Sequence, residues 1–184
     1  MEADWEVEIG GEAPVIDAAW SGFADLRIAP HLAHTLPEAS VQPGLAEALV
    51  RLNQSHSPVW TAKCDAWPIT DTGPLDPDEL GAASEDMNSG RGCYIDLLPR
   101  SDQQWTTPEM AVHWCKALCS YLRTIPLPCG RIDLVVRKAW ITPDIEDHGL
   151  TAYFTACGCN DLLASQTLAA MLHVFADALV PTQR

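Results

Sequence analysis

The sequence predicts an α+β fold in which two long helices pack on one face of an antiparallel β-sheet. From residue 58 onward the hydrophobic patterns follow the order strand, strand, helix, strand, strand, helix. This ββαββα grouping favours an antiparallel sheet that helices cover on one side. A chain of 184 residues is long enough for one well-buried domain. We therefore expect a single domain, 1–184, in which an N-terminal segment (1–57) precedes the ββαββα core (58–184).

A central hairpin is the second observation behind this fold class. Residues 131–141 are rich in β-branched and aromatic side chains and contain no Gly or Pro, as is typical of a strand. Residues 142–149 contain turn-forming Pro, Asp and Gly. Residues 150–157 alternate, with Leu150, Ala152, Phe154 and Ala156 on one face. We expect that apolar face to meet the core.

The N-terminal segment carries weaker patterns. Residues 5–9 alternate between apolar and acidic side chains and predict a half-buried edge strand, and residues 15–20 predict a second short strand. Three prolines within 27–43 predict irregular chain. Residues 43–53 have leucines at helical spacing and predict a short amphipathic helix.

The middle of the chain predicts two strands separated by a long loop. Residues 58–67 and 93–98 have strand composition. The loop 71–92 is rich in Asp, Pro, Ser and Gly, with one helical turn at 76–80. We expect residues 88–92, at its end, to be mobile.

Capping signals locate the two long helices. Thr106 and Glu109 have the spacing of a capping box, which predicts a helix start. A cap at Asn160 or Asp161 opens the last helix, which runs to about Leu179.

The charge balance limits the classes of partner. The formal net charge is -14, from 25 acidic against 11 basic residues. Binding to a phosphate backbone needs a dense basic stripe, so we expect neither nucleic acid nor an anionic membrane as a partner. A basic protein partner or a cationic ligand fits better, although acidity also serves solubility.

The first residues lack the basic and apolar regions of a signal peptide, and we expect no membrane-spanning segment. Seven cysteines, an odd number, are scattered along the chain and are typical of reduced cytoplasmic thiols. We therefore expect a cytoplasmic protein.

Two Asp/Arg pairs are the candidate ligand-binding residues. Asp96 with Arg100, and Asp133 with Arg137, lie four residues apart, so each pair points to one face of an extended strand. On neighbouring strands the four could hold a polar ligand through bidentate arginine contacts. Ion pairs on a wet sheet face, worth about 0.2–1 kcal/mol each, are the commoner explanation.

Cys157 and Cys159 are the candidates for a reactive thiol. They lie where a strand leads into a helix, and a helix N-terminus lowers the pKa of a thiol. Asp161 opposes this effect, and inert buried cysteines are commoner. Cys115 and Cys119, at helical spacing, could share a metal with these two or with Cys64, but core packing also explains them. We expect no metal site and no cofactor.

The leading functional hypothesis is a non-catalytic accessory or protein-interaction domain, with a protein partner or a second copy of the chain. The sequence contains no phosphate-binding loop, nucleophile elbow or zinc-protease motif. Its seven tryptophans are more than one small core readily hides. The alternatives are a small-molecule binder or enzyme, with a polar pocket between the sheet face and residues 21–42 or 71–92, and a thiol or metal site built from the cysteines.

Overall fold

A computed structural model of the chain shows an α+β fold on a mixed, mostly antiparallel sheet of six strands. The structure describes residues 1–11, 14–18, 20–100, 105–142 and 145–180. The strands are β1 (Glu2–Glu8), β2 (Ile16–Asp17), β3 (Val59–Ile69), β4 (Ser89–Pro99), β5 (Gly130–Thr142) and β6 (Ile145–Gly158). The helices are α1 (Pro37–Val41), α2 (Leu45–Leu52), α3 (Pro77–Leu80), α4 (Pro108–Leu122) and α5 (Asp161–Leu179).

The strand order is β1-β5-β6-β4-β3, so β6 lies at the centre of the sheet and β3 at one edge. The pairs β5–β6, β6–β4 and β4–β3 are antiparallel, which agrees with the predicted sheet type; of these pairs the sequence predicted the β5–β6 hairpin alone. The expectation of an entirely antiparallel sheet is wrong, because β1 and β2 both run parallel to β5 along its outer edge. More than 100 residues connect β1 to β5, so no tight turn requires these strands to be antiparallel.

The main core lies on one face of the sheet. Buried side chains of β4, β5 and β6 meet there with side chains of α2, α4 and α5. Phe154 of β6 and Phe175 of α5 pack edge to face, with ring centroids 5.1 Å apart. Three helices therefore share the core face. A short helix, α3, is inserted between β3 and β4, so the order after residue 58 is richer than the predicted ββαββα.

A second, smaller cluster covers one end of the opposite face. Ile16 and Ala18, from the N-terminal segment, pack there with Trp60 of β3, Leu98 of β4 and Ala139 of β5. Successive side chains of a strand point to opposite faces, so Leu98 faces away from the main core that Leu97 enters. The remainder of this opposite face carries mainly polar and aromatic side chains, such as Asp133, Tyr153 and Trp67. We call it the open face.

The helix caps follow the predicted chemistry in one case and depart from it in the other. The Asn160 side chain accepts a hydrogen bond from the backbone N–H of Leu163 at 3.0 Å, which confirms the predicted cap of α5. Helix α4 begins at Pro108 with Thr107 in the cap position and no side-chain cap bond. The predicted cap at Thr106 is therefore one residue too early.

Two strands, β4 and β6, begin several residues earlier than the sequence predicts, inside expected loops. Residues 89–92 lie in β4 and pair with β6, and residues 90–92 also pair with β3 on the other side, so the expectation of a mobile segment is wrong. A Cβ at Gly92 would lie 2.5 Å from the Trp67 ring, which shows that glycine is there for close packing and not for a turn. Strand β6 begins at Ile145, inside the predicted turn. Pro143 and Asp144 lie outside the described residues.

Helix α5 is, within the described part of the chain, the one helix long and apolar enough to cross a membrane. Its side chains Met171, Leu172 and Phe175 are fully buried against the sheet. The central helix of a globular core has the same length and composition, and packing accounts for both here.

Phe154 provides a test of the core. We expect Phe154→Ala to lower the free energy of unfolding by about 3–5 kcal/mol, because it removes a fully buried ring and leaves a cavity against Phe175. Urea denaturation followed by tryptophan fluorescence measures the change. Tyr121→Ala, at a side chain on α4 that is 51% exposed, is the control and should change it by less than about 0.5 kcal/mol. A loss below about 1 kcal/mol at Phe154 would contradict this packing.

Candidate functional site

The open face carries a cleft of about 430 Å³. Its floor is formed by β5 and β6, one wall by β1, and the other wall by α3 with the residues preceding it. The lining side chains are mostly acidic or apolar. We call this feature the acidic cleft.

The floor of the acidic cleft follows from strand alternation. In β5, Ile132, Leu134 and Val136 enter the main core, so the side chains between them face the opposite way. Arg131, Asp133 and Val135 therefore line the cleft, beside Tyr153 and Thr155 of β6. Asp133 and Tyr153 are direct cross-strand partners, as are Arg131 and Thr155.

The walls bring four further carboxylates to the cleft. Asp4 and Glu6 of β1 lie beside Asp133 and Val135 because β1 pairs with β5 in that register. Across the floor, Asp76 caps α3 by accepting a hydrogen bond from the Asp78 N–H at 2.9 Å. Glu79, in α3, follows one turn later. The buried side chain of Leu80 anchors this wall.

Negative charge dominates the acidic cleft. Its lining contains five carboxylates, those of Asp4, Glu6, Asp76, Glu79 and Asp133, and a single cation, Arg131. The Arg131 guanidinium contacts an Asp133 oxygen at 2.7 Å and a Glu79 oxygen at 3.0 Å. Arg131 therefore neutralises part of the cluster. Arg123, outside the lining, lies 3.5 Å from an Asp4 oxygen, so two cations face five carboxylates and an excess of negative charge remains. Burial is the main cause that raises the pKa of Asp133, and the neighbouring Asp4 and Glu79 charges add to it.

A hydrogen-bonded cluster adjoins the cleft at Tyr153. Arg137 donates to the Tyr153 hydroxyl at 3.1 Å and to a Glu8 carboxylate oxygen at 2.6 Å. The Tyr153 ring lies 6.0 Å from the Tyr94 ring, and Tyr94 lies 6.3 Å from Trp67. A row of aromatic rings thus extends across the open face from the cleft to the edge strand β3.

Asp96 is the most buried carboxylate of the open face, with 5% of its surface exposed. It accepts a hydrogen bond of 2.6 Å from the Thr151 hydroxyl. Burial raises the pKa of Asp96 to about 6, against the lowering effects of that hydrogen bond and of the Arg137 charge.

The structure brings three of the four predicted ligand-binding residues to the open face. Asp133 lines the acidic cleft, Arg137 lies in the adjoining cluster, and Asp96 lies near enough to Arg137 for that charge to lower its pKa. Arg100 lies elsewhere, because β4 ends at Pro99. The Arg100 guanidinium donates to the carbonyls of Asn53 and Gln54 at the end of α2, at 2.8 Å each. Whether these residues bind a ligand stays a prediction.

The predicted thiol pair divides into a buried and an exposed member. Cys157 is fully buried, and burial raises the pKa of its thiol to about 12, which opposes reactivity. Cys159 is exposed and accepts a weak contact of 3.6 Å from the Asn160 amide. Cys115 and Cys119 are core residues of α4. Among the residues that the structure describes, no three His, Cys, Asp or Glu side chains are grouped to hold a metal ion.

The tryptophans are more buried than their number suggests. Trp67 and Trp140 are exposed, at 38% and 39%, whereas the other five are buried or half-buried. The positions of the tryptophans therefore give little support to a partner surface built from them.

The sequence predicted a polar pocket between the sheet face and residues 71–92, and residues 74–80 of that segment form one wall of the acidic cleft, but β1 was not singled out as the other wall. Asp4 and Glu6 share the acidic face of β1, and that alternation is visible in the sequence, but its parallel pairing with β5 is not. The helical turn containing Glu79 was predicted, and its position over β5 and β6 was not.

Comparisons of this chain with protein-family models, with curated proteins and with solved structures found no match.

Asp96 gives a pH-dependent test of these electrostatics. Its pKa in the folded protein lies above the value of about 3.9 in an unfolded chain, so its ionisation destabilises the fold increasingly between pH 4 and 6. We expect Asp96→Asn to raise the free energy of unfolding by about 1–3 kcal/mol at pH 7.5, because Asn carries no charge and can still accept the Thr151 hydrogen bond. The gain should fall to about half at pH 5.

Urea denaturation at the two pH values measures this difference. Glu47→Gln, at an exposed position of α2, is the matched control and should change stability little at either pH. An Asp96→Asn variant less stable than the parent at pH 7.5 would contradict the buried, charged assignment.

Proposed function

We propose that this chain is a non-catalytic binding domain that holds a positively charged segment of a partner protein in the acidic cleft. The observation that carries the proposal is a cavity of about 430 Å³ whose lining contains five carboxylates and one arginine. Oppositely charged surfaces steer encounters and select partners, so such a cleft favours a cationic occupant.

The lining of the cleft supports a protein side chain over a bare metal ion. Trp5, Leu75 and Tyr153, each half-buried, supply apolar and aromatic surface between the carboxylates. Lys and Arg side chains have long apolar stems below a charged head, and they match a site that offers both kinds of surface. The carboxylates are also spread over three elements of the fold rather than grouped around one point.

Arginine is the side chain that suits the cleft best. Carboxylates bind a guanidinium through two parallel hydrogen bonds, and the Tyr153 face offers stacking to a planar cation. Related contacts are already made by the chain's own arginines, since Arg131 bridges two carboxylates and the Arg137 guanidinium lies 5.5 Å from the Tyr153 ring centre. An arginine of the partner would extend this arrangement.

The net charge and the cysteine content indicate the kind of partner and the cellular compartment that we propose. A chain with a formal net charge of -14 favours a basic partner protein over an acidic one. The seven cysteines favour the reducing cytoplasm as the compartment in which the two proteins would meet.

Binding of rhodamine-labelled hexaarginine, measured by fluorescence anisotropy, tests this proposal. We expect saturable binding that weakens by at least about tenfold when NaCl rises from about 0.05 to 0.3 M, because partly exposed charges are screened. The triple variant Glu6→Gln, Asp76→Asn, Glu79→Gln should weaken binding by about tenfold or more at low salt. The asparagine that replaces Asp76 in this variant can still cap α3.

A control variant with the same change in net charge distinguishes binding in the cleft from general attraction to an acidic protein. Glu47→Gln, Glu85→Gln and Glu109→Gln together change the net charge by the same amount, at exposed positions outside the cleft lining. This variant should retain the parent affinity within about threefold. Equal losses in the two triple variants, or no binding of hexaarginine to the parent protein, would contradict the proposal.

A further inference from the structure

A second cavity, of about 210 Å³, lies at the far edge of the sheet. It is enclosed between the edge strand β3 and residues 20–38 of the N-terminal segment, with Leu49 of α2 also in its lining. None of its lining residues belongs to the acidic cleft. We call it the edge cavity.

The deep part of the edge cavity is apolar and held in place by specific contacts. Leu26 and Leu49 are buried in its lining. The Trp20 ring forms one side and is fixed by an indole N–H that donates to the Ala62 carbonyl at 3.2 Å. Gly22 has φ +101°, and a Cβ there would lie 2.9 Å from the Trp20 ring, so the loop closes tightly behind that ring.

An irregularity in β3 brings a cation to the edge cavity. Thr61 pairs with Leu97 and Cys64 pairs with Ile95, so Ala62 and Lys63 together oppose one residue of β4. This is the count of a β-bulge, a device that re-aims side chains and is common beside binding sites. The Lys63 ammonium lies 5.2 Å from the centre of the Trp20 ring and is half-exposed.

Glu38 brings the opposite charge to the same cavity. It is half-exposed. Burial raises the pKa of the Cys64 thiol, and the nearby Glu38 charge adds to this rise, so Glu38 lies close to that thiol. Neither Glu38 nor Lys63 forms an ion pair with any residue that the structure describes. The cavity thus combines an apolar interior with one positive and one negative group.

We propose that the edge cavity binds a small zwitterion with the chemistry of a free α-amino acid that carries an apolar side chain. The ligand carboxylate pairs with Lys63, the ligand ammonium pairs with Glu38, and the side chain enters the space lined by Leu26 and Leu49. Pockets for drug-sized ligands measure roughly 300–1,000 Å³, so about 210 Å³ suits a smaller molecule. A simple fatty acid would leave Glu38 facing its carboxylate or its chain, which disfavours it.

Isothermal titration calorimetry with L-leucine and L-phenylalanine tests the ligand class. We expect saturable binding of at least one of the two. The two leucine analogues that lack one charge, 4-methylpentanoate and 3-methylbutylamine, should bind at least about tenfold more weakly than L-leucine, or not at all where L-phenylalanine is the amino acid that binds. No binding of either amino acid up to about 10 mM, or an analogue that binds as tightly as L-leucine, would overturn the proposal.

Variants locate the binding. Lys63→Gln and Glu38→Gln should each weaken binding by about tenfold or more, whereas Lys116→Gln and Glu47→Gln, which remove the same charges elsewhere, should leave it unchanged. Ala24→Phe should fill the cavity and abolish binding while thermal melting confirms the fold. If Ala24→Phe does not fold, Lys63→Gln and Glu38→Gln test the location of the ligand. Unchanged affinity in both of these variants would overturn the assignment to this cavity. The outcome is independent of the acidic cleft.

Discussion

Side chains along β5 and β6 alternate between two environments, and the positions of the other elements depend on this alternation. The inward residues, such as Ile132 and Phe154, are covered by α2, α4 and α5. The outward residues, such as Asp133 and Tyr153, form the floor of the acidic cleft. A shift of one residue in the β5–β6 register would exchange the two sets, so the apolar core and the polar open face are specified together.

The open face gathers negative charge that the fold compensates only in part. Arg131 contacts Asp133, and Arg137 contacts Glu8. Both arginines lie in β5, which pairs with the β6 strand of Tyr153. Arg123 lies 3.5 Å from an Asp4 oxygen, whereas Glu6 of β1 and Asp76 at the start of α3 form no ion pair with any described residue. Bringing like charges together is unfavourable, and a cation that enters the cleft relieves this repulsion, which gives the proposed partner its favourable electrostatic contribution.

The sequence predicted the structural features that depend on residues close together along the chain. The alternation in 150–157 correctly predicted the inward face of β6, and the Asn160 cap depends only on its own side chain and the first turn of α5. Features that depend on distant segments were missed. The parallel pairing of β1 with β5 joins residues more than 100 positions apart. Gly90 and Gly92 resemble turn residues in the sequence, but they lie in a strand, where the lack of a side chain leaves room for Ile69 and Trp67 of the neighbouring strand. Arg100 was misplaced because the four-residue spacing holds only while a strand continues, and β4 ends one residue earlier.

The most direct test of the account is the position of hexaarginine on the folded protein, mapped by amide chemical-shift changes in a 15N-labelled sample. We expect saturable changes concentrated in residues 4–6, 74–80, 131–135 and 153–155, which surround the acidic cleft. These changes should disappear at high salt. Changes spread evenly over acidic residues of all surfaces, or concentrated at β3 and residues 20–38, would contradict it.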